Sequence, residues 1–308
     1  MSNFSHISVL LNETVDGLNV KPNGVYVDGT TGGGGHSLEV LSRLNGSGKL
    51  FCFDRDPDAI ETVTNRFKDD KRVTIVHSNF SEIKKVLADL GIDGVDGIIA
   101  DLGVSSHQLD TAERGFSFHY DAPLDMRMSQ QGTTAEDIVN SYSQKELFNV
   151  ISKYGEEKFA SSVANAIVRA RDKKRIETTL ELAEIVSNAI PAKFRRNGHP
   201  ARKTFQAIRI EVNAELTVLE NTLPDMFEAL NKDGVLAIIS FHSLEDRIVK
   251  DYFRTLKEGC TCPKDFPVCV CGKTPKALVK SAGVKATGKE VTENNRSRSA
   301  KLRTAKKL

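Results

Sequence analysis

The chain contains no tryptophan, and aromatic residues make up only 6% of its 308 positions. A surface that recognises bases mainly by stacking them on aromatic rings is therefore disfavoured. No run approaches 18 consecutive apolar residues, which argues against a transmembrane helix. The N-terminal residues form neither a basic stretch nor a long apolar stretch, so no secretory signal is predicted. We expect a soluble, cytoplasmic protein without a membrane partner.

Cysteine is also scarce, and four of the five cysteines crowd into one short segment. They form a C-x-C, six-residue gap, C-x-C pattern made of Cys260, Cys262, Cys269 and Cys271. Four thiolates can hold zinc, but structural zinc sites usually have longer spacings within each pair. Pro263 and Pro267 also restrict closure of the gap. Free thiols in a loop are the favoured interpretation, structural zinc is the alternative, and no metal is predicted.

Positive charge is unevenly distributed although the net charge is only +2. Residues 272–308 hold eleven Lys or Arg against two Glu, and residues 169–209 hold eleven against four acidic residues. Such segments are either solvated surfaces or the electrostatic footprint of a polyanionic partner. Charge alone leaves both interpretations open.

The first hundred residues alternate between strand and helix patterns. Apolar runs rich in β-branched and aromatic residues predict strands at 24–28, 49–54, 73–76 and 97–101. Helical patterns lie between them at 36–44, 57–67 and 81–90. Near-continuous apolar strands separated by helices indicate a parallel sheet covered on both faces. This is a doubly wound α/β pattern.

Helical patterns dominate from residue 111 to residue 223. Ser143 and Thr178 each begin a capping box, and a long apolar face from Ile208 to Leu223 is predicted to end at Pro224. Strand character returns at 234–241, followed by a helix to about residue 256.

These patterns predict three segments. A helical subdomain, residues 111–223, is inserted between residues 1–110 and 224–308 of one α/β domain. The second part of that domain ends in a polar, basic tail, which we expect to be partly disordered when alone.

Four consecutive glycines, residues 32–35, separate the first predicted strand from its helix. Such a loop lets a ligand approach the backbone and the helix N-terminus. A P-loop is excluded because His36 follows the glycines, and the dinucleotide pattern is excluded because Leu38 stands where glycine is required. Asp28 ends the first strand, and Asp54 ends the second, where a carboxylate can bind ribose hydroxyls. The combination suits an adenosine ligand without pyrophosphate, such as S-adenosylmethionine.

Two polar residues follow the fourth predicted strand at the same sheet edge. Asp101 can accept hydrogen bonds from a ligand amine or from the exocyclic amine of a base. Gln108 can both donate and accept, which fits the edge of an adenine. Ligands of open α/β sheets bind at this edge.

With these residues the sequence resembles the bacterial 16S ribosomal RNA cytosine-N4 methyltransferase family. The resemblance is carried in order by residues 28–37, 101–110, 114–118, 124–128, 194–200, 204–210, 240–247 and 296–303. The sequence departs from the family at Ser8 and Asn295, where proline is usual, and at Lys203, where arginine is usual. Lysine keeps the charge but loses the bidentate geometry.

The resemblance implies a Rossmann-like class I methyltransferase fold with an inserted all-α subdomain. It implies that S-adenosylmethionine is the methyl donor and that the substrate is a specific cytidine in the decoding centre of 16S ribosomal RNA, within the 30S subunit. Besides Asp28, the donor-binding positions are Gly34, Gly35, His36, Asp54, Phe80, Asp101 and Gln108. DNA is not an expected partner.

The catalytic role falls on Asp101, which we expect to polarise the target amine. The Pro-Pro-aromatic string of other amino-methyltransferases is missing after Asp101, so the base must stack elsewhere. The candidates for stacking are Phe116, Phe118, Tyr120 and His242. Candidates for contacting the RNA are Arg195, Arg196, His199, Lys203, Arg209, His242, Arg296, Arg298 and Arg303.

Two other functions stay open on sequence alone. One is a non-catalytic ribosome assembly factor that binds the donor only for its shape. The other is a methyltransferase acting on a protein or a small molecule, although the large basic insert disfavours a small molecule. A nicotinamide dehydrogenase is disfavoured because the dinucleotide motif is missing.

Overall fold

The computed structural model describes residues 8–195, 198–258, 262–263, 265–268, 270–280 and 282–308. The chain divides into two compact units, which are Met1–Gly103 with Leu216–Leu308, and Val104–Glu215. None of the helices in the described segments is long and apolar enough to cross a membrane.

The first unit is built on one mixed sheet. Its strands are β1 (Val25–Asp28), β2 (Lys49–Asp54), β3 (Val73–His77), β4 (Val95–Asp101), β5 (Leu230–Ser240), β6 (Ala277–Val279), β7 (Val284–Lys285) and β8 (Lys301–Lys307). The sheet order is β3-β2-β1-β4-β5-β8-β6, with β7 also paired to β8. The first five strands of this order run parallel, and β8 is antiparallel to β5 and β6.

The helices follow the predicted pattern closely in the first hundred residues. In chain order they are α1 (Leu11–Leu18), α2 (Gly35–Arg43), α3 (Pro57–Phe67), α4 (Ile83–Asp89), α5 (Ser106–Asp110), α6 (Ala135–Ser141), α7 (Gln144–Gly155), α8 (Ala160–Arg171), α9 (Thr179–Ala189), α10 (Arg202–Asn213), α11 (Glu215–Glu228), α12 (Ser243–Glu258) and α13 (Gly288–Glu293). The four strands and three helices predicted before residue 101 are confirmed, whereas α1 was not anticipated.

Alternate residues of the central strands enter two different cores. Val27 and Ile98 pack with residues of α4, α11 and α12, whereas Tyr26 and Ile99 pack with residues of α1, α2 and α3. Successive side chains of a strand point to opposite faces, so helices cover both sides of the sheet. This confirms the doubly wound, Rossmann-like α/β fold.

The second unit is helical and has its own apolar core. Its residues come from α6 to α10 and from the segment 116–128. The capping boxes predicted at Ser143 and Thr178 are confirmed, and each satisfies backbone N–H groups at a helix start. Apart from one bridge between Pro123 and Thr178, the described part of this unit contains no strand pairing.

The prediction of one long helix that runs to Leu223 and ends at Pro224 is wrong in two respects. Ala214 adopts a left-handed conformation (φ 50°), which separates α10 from α11. Pro224 lies inside α11 rather than ending it. Leu219 and Leu223 are buried against the sheet, and this packing compensates for the hydrogen bond that proline cannot donate. The first unit therefore resumes at Leu216, before the predicted boundary at 223.

The C-terminal segment, which the sequence predicts to be partly disordered when alone, contains an ordered strand in the folded chain. Residues 301–307 form β8, which pairs with β5 from Val235 to Ser240. Leu302 and Ala305 are buried in the cores on either side of the sheet, and Arg303 is buried as well. The apolar residues between the lysines supply enough packing to order this basic segment.

Candidate functional site

Three carboxylates lie at the same edge of the sheet. Asp28, Asp54 and Asp101 end β1, β2 and β4, which are neighbours in the order β2-β1-β4. Because these strands are parallel, their carboxyl ends meet at one edge, where α/β proteins bind ligands. The structure thus brings together the three acids that the sequence singled out.

The glycine-rich loop is held across this edge by backbone hydrogen bonds. The Gly29 N–H donates to the Ile99 carbonyl at 2.8 Å, and the Thr31 N–H donates to the Phe53 carbonyl at 2.9 Å. The Gly32 N–H donates to Asp54 Oδ2 at 2.8 Å. Asp54 therefore shapes the loop as well as facing the edge.

Neighbouring glycines of the loop have different reasons for lacking a side chain. Gly34 has φ +78°, and a Cβ there would lie 3.0 Å from the Phe67 ring. At Gly35 a Cβ would overlap the Ser8 hydroxyl. At Gly33, which is exposed, a Cβ would meet no atom within 4 Å. Gly33 leaves open space in front of the loop, and that space suits a ligand that contacts the backbone.

These differences predict unequal effects of two alanine substitutions. Gly34→Ala is expected to lower the free energy of unfolding by about 2 kcal/mol, because a left-handed non-glycine residue costs about 1–2 kcal/mol and crowding adds to it. Gly33→Ala, the matched control, is expected to change it by less than about 0.5 kcal/mol. Chemical unfolding followed by circular dichroism measures both. Equal stability of the two variants contradicts this account of the loop.

Asp28 and Asp54 are held in place by hydrogen bonds although they are deeply placed. Ser37 donates to Asp28 Oδ2 at 2.6 Å and the Thr30 N–H donates to Oδ1 at 3.2 Å. The Asp56 N–H donates to Asp54 Oδ1 at 2.9 Å. Burial raises the pKa of Asp28 to about 6 and that of Asp54 to about 6, against the opposing effect of these hydrogen bonds.

Asp101 is the carboxylate with unfilled hydrogen-bonding capacity. Its Oδ1 is buried and has no hydrogen-bond partner among the residues that the structure describes. Its own N–H donates to Thr30 Oγ1 at 2.6 Å, which ties β4 to the loop. Burial, with smaller contributions from the charges of Asp28 and Glu245, raises the pKa of Asp101 well above its usual value. A ligand with hydrogen-bond donors or positive charge at this point reduces the free-energy cost of ionising the buried Asp101 carboxyl.

His36 is a neutral neighbour of Asp101. Its Nε2 lies 3.0 Å from the Val9 carbonyl, so Nε2 carries the proton, since a carbonyl only accepts. Its bare Nδ1 lies 3.9 Å from Asp101 Oδ2. Burial lowers the pKa of His36 to about 4, although the bond to Val9 opposes this. His36 therefore adds an acceptor rather than a positive charge.

Phe80 begins the 3-10 turn that follows β3 (Phe80–Glu82). Its side chain is partly buried and packs on the core of the first unit. A Cβ on Gly29 would lie 3.3 Å from the Phe80 Cβ, so the ring base adjoins the start of the glycine-rich loop. This position is compatible with the predicted role of Phe80 in donor binding.

Gln108 belongs to the second unit and is buried in α5. Its Oε1 accepts from the Ser105 N–H at 3.0 Å, while its own N–H donates to Ser105 Oγ at 3.2 Å. This capping box fixes the side chain at the start of the helix. The predicted contact with adenine stays a prediction.

His242 and Glu245 form a buried pair just after β5, at the same edge as Asp101. Glu245 Oε2 accepts from the backbone N–H groups of Phe241 at 2.8 Å and His242 at 3.2 Å. The Glu245 N–H donates to His242 Nδ1 at 3.4 Å. Sequence reasoning missed Glu245. The signal was the H-x-x-E spacing at a helix start, which has the form of a capping box.

The predicted RNA-binding residues of the second unit differ in their surroundings. Arg209 forms a bidentate pair with Glu215, at 2.8 and 3.0 Å, which we assign to stabilising this unit. Arg195 Nε donates to the Ile190 carbonyl, and Lys203 Nζ donates to the Glu156 carbonyl. Arg196 lies outside the described residues.

The arginines near the C-terminus also divide into two kinds. Arg296 and Arg298 are exposed in the 3-10 turn Asn295–Ser299. Arg303 is buried, and its Nε donates to Asp246 Oδ1 at 2.6 Å. The sequence expectation that Arg303 contacts phosphate conflicts with this burial, and we assign it to anchoring β8.

The aromatic candidates for base stacking are similarly sorted within the second unit. Phe116 is buried in the core, whereas Tyr120 is exposed. Phe118 already stacks on the exposed His199, with ring centroids 4.4 Å apart and planes at 15°. His199 and Phe118 thus form a ready stacking pair.

The cysteine cluster keeps its two interpretations. Cys260 and Cys269 lie outside the described residues, so the zinc hypothesis stays untested.

The first unit therefore offers a carboxylate-rich edge, an open backbone loop and an unfilled acceptor. This arrangement suits a positively charged ligand with several hydrogen-bond donors. Burying a carboxylate costs less free energy when a hydrogen-bond donor faces it. Carboxylates at these positions disfavour a pyrophosphate beside them by repulsion, in agreement with the absence of a dinucleotide motif.

Comparison with known proteins shows which family and which relatives the chain is similar to. A family model described as the MraW methylase family matches residues 3–308. Ribosomal RNA small subunit methyltransferase H of Clostridium botulinum (strain Kyoto / Type A2) is 55% identical over 307 residues, which are 99% of this chain and 99% of that protein. The protein of the same name from Lachnospira eligens is 55% identical over 309 residues, covering 99% of this chain and 98% of that one.

Proposed function

The chain belongs to the MraW methylase family, and from this premise we propose that it methylates 16S ribosomal RNA of the small ribosomal subunit. The methyl donor is S-adenosylmethionine, and the target is the exocyclic N4 amine of one cytidine in the decoding centre. The observation that carries this proposal is the carboxylate edge with the unpartnered Oδ1 of Asp101 beside an open glycine-rich loop. A sulfonium donor supplies an electrophilic methyl group.

The residues of the edge have separable roles towards the donor. Asp54 accepts from the ribose hydroxyls, and the open space at Gly33 lets the donor approach the backbone of the loop that continues through Gly34 and Gly35. Asp28 holds Ser37 and the loop in place. His36 stays neutral and bounds the pocket beside Asp101. Phe80 is assigned to the adenine of the donor, and Gln108, in the second unit, stays a predicted donor-binding residue.

Asp101 acts on the acceptor amine. The nitrogen lone pair of an aromatic amine is delocalised into the ring, so an acceptor that holds an N–H increases its availability for attack. As the N–C bond to the methyl group forms, the S–C bond of the sulfonium breaks and its electron pair stays on the sulfur of the departing thioether, so the amine becomes cationic and must lose a proton. The buried carboxylate of Asp101, with its raised pKa, is suited to accept this proton.

The RNA phosphates are held by basic residues that are exposed in the first unit and partly buried in the second. We assign this role to Arg296 and Arg298 in the first unit, and to Arg195 and Lys203 in the second. The His199 and Phe118 stack offers a surface for an unpaired base. Unstacking the target base costs a few kcal/mol, which these contacts offset.

Salt is expected to weaken binding to small subunits strongly. If three of these residues each neutralise one phosphate, raising the salt from about 50 to 200 mM lowers affinity by about 20- to 40-fold. The double variant R296A/R298A is expected to reduce the slope of log affinity against log salt concentration by an amount that corresponds to about two phosphate contacts. Lys85→Ala, at an exposed position of α4, is expected to leave this slope unchanged. Binding measured across a salt series tests this, and an affinity independent of salt overturns it.

The reaction itself is tested with small subunits from cells lacking this protein. They are incubated with methyl-labelled S-adenosylmethionine, and the RNA is digested to nucleosides. A labelled N4-methylcytidine is the expected product. Label on another nucleoside refutes the N4 assignment, and label on protein refutes the RNA acceptor. Donor binding without transfer favours the assembly-factor function instead.

A further inference from the structure

Within the proposed function, on which this inference rests, we propose that Asp101 and His242 together recognise the Watson–Crick edge of the target cytosine. Asp101 Oδ1 accepts from the exocyclic amine, and His242 Nε2 donates to ring nitrogen N3. Glu245 is a positioning residue that fixes the imidazole. This pair is what makes the site select cytosine over uracil.

The two side chains stand at adjacent strand ends in the same unit. β4 and β5 are parallel neighbours, with Asp101 paired to Ile239. The segments that follow β4 and β5 remain adjacent two residues further on, since a Cβ on Gly103 would lie 3.7 Å from the Phe241 ring. His242 follows immediately. The charge of Glu245 is also near enough to raise the pKa of Asp101.

The hydrogen bonds of His242 define which ring nitrogen carries the proton. Nδ1 accepts from the Glu245 N–H at 3.4 Å, so in the neutral ring the proton lies on Nε2. Glu245 Oε1 lies 3.2 Å from Nε2, but the contact does not form a hydrogen bond. Nε2 is buried without a hydrogen-bond partner among the described residues, and the ring is nine-tenths buried.

Unpaired buried polar atoms are rare because each costs free energy when nothing faces it. Here two such atoms of opposite type, an acceptor and a donor, occur at one sheet edge. Cytosine presents the complementary order, an amine donor at N4 beside an acceptor at N3. Uracil presents the reverse, an acceptor at O4 beside a donor at N3. With uracil, both Asp101 and His242 would face groups of their own kind, which a hydrogen-bonding site rejects strongly.

The first test measures equilibrium binding, without turnover, to small subunits reconstituted with either cytidine or uridine at the target position. The wild-type protein is expected to bind the cytidine particle about tenfold more tightly. His242→Ala is expected to reduce this ratio to about twofold, and His242→Gln, which keeps an N–H donor, to restore part of it. A ratio unchanged by His242→Ala overturns the proposal.

The second test separates recognition from folding and from the reaction. His242→Ala is expected to raise KM for the particles about tenfold while leaving donor affinity unchanged and lowering thermal stability only by the small amount that loss of a helix cap brings. Glu245→Gln, which keeps the hydrogen bonds to the backbone, is expected to have a smaller effect of the same kind. Equal loss in His242→Ala and His242→Gln, accompanied by much lower stability, shows a structural role only and refutes the proposal. If the wild-type protein transfers no methyl group, the proposed function fails, whereas the binding ratio still reports on base recognition.

Discussion

Replacing Asp101 with asparagine is expected to lower the rate of methyl transfer by about 100- to 10,000-fold. The amide keeps the shape of the side chain but cannot take the proton that the methylated amine must lose. Donor affinity is expected to fall much less, because the hydrogen bonds that position Asp54 and the loop stay intact. Single-turnover transfer of labelled methyl groups, combined with equilibrium donor binding, measures the two effects separately.

Asp89→Asn is the matched control, since Asp89 lies at the exposed end of α4. It removes the same charge and is expected to leave both transfer and donor binding unchanged. An Asp101→Asn protein that transfers methyl groups within threefold of the wild-type rate, a margin of about 0.65 kcal/mol, would remove Asp101 from the reaction.

The same carboxyl predicts the direction of the pH dependence. Burial raises the pKa of Asp101, so at low pH the group is protonated and cannot accept a proton. The transfer rate is therefore expected to rise with pH through this elevated pKa and to be lost as pH falls. A bound cationic donor favours the ionised form and shifts the rising limb to lower pH. In Asp101→Asn this limb is expected to disappear from the residual activity.

The second large effect concerns stability. Asp246→Ala is expected to lower the free energy of unfolding by about 3–5 kcal/mol, because it removes one partner of a buried ion pair with the guanidinium of Arg303. Lys301 loses the same partner, at 2.8 Å. Chemical unfolding followed by circular dichroism is the suitable measurement, since the chain has no tryptophan.

Asp251 on the same helix provides the matched control. Its contact with Arg254, at 3.3 Å, is between exposed side chains, so Asp251→Ala is expected to cost less than about 1 kcal/mol. The double variant D246L/R303M is expected to recover most of the loss, since an apolar pair of similar volume replaces a buried ion pair well. Equal destabilisation by Asp246→Ala and Asp251→Ala would contradict the role given to the buried pair.

The ion pair also makes an acid-labile contribution. Burial opposes ionisation of Asp246, but hydrogen bonds from Arg303 and Lys301 outweigh it and hold the pKa of Asp246 below its ordinary value of 3.8. A depressed carboxyl pKa stabilises the fold above that ordinary value, and the contribution is lost as pH falls through the lowered pKa.

The central sheet and the donor edge could be predicted because their signals are local. Apolar runs defined β1 to β4, and the glycines together with Asp28, Asp54 and Asp101 followed directly from the strand ends. The fold rule that parallel strands meet ligands at their carboxyl ends then placed these residues together.

The remaining features depend on contacts between distant residues. The strand β8 pairs with β5 across more than sixty positions, and its lysines hide the apolar alternation. Arg303 finds Asp246 57 residues away, so its burial has no local signature. The break between α10 and α11 at Ala214 has no local sequence signal either, because alanine favours helices and rarely adopts positive φ. Tertiary packing decided each of these cases.

Because β8 follows all the other strands in the chain, the sheet is completed late in biosynthesis. Until residues 301–307 have been made, β5 lies at a sheet edge with its backbone N–H and C=O groups unpaired on that side. Such edges template association with other chains. A polypeptide that stops short of residue 301 is therefore aggregation-prone even though every donor-binding residue has already been synthesised, and nascent chains need protection until this late strand docks.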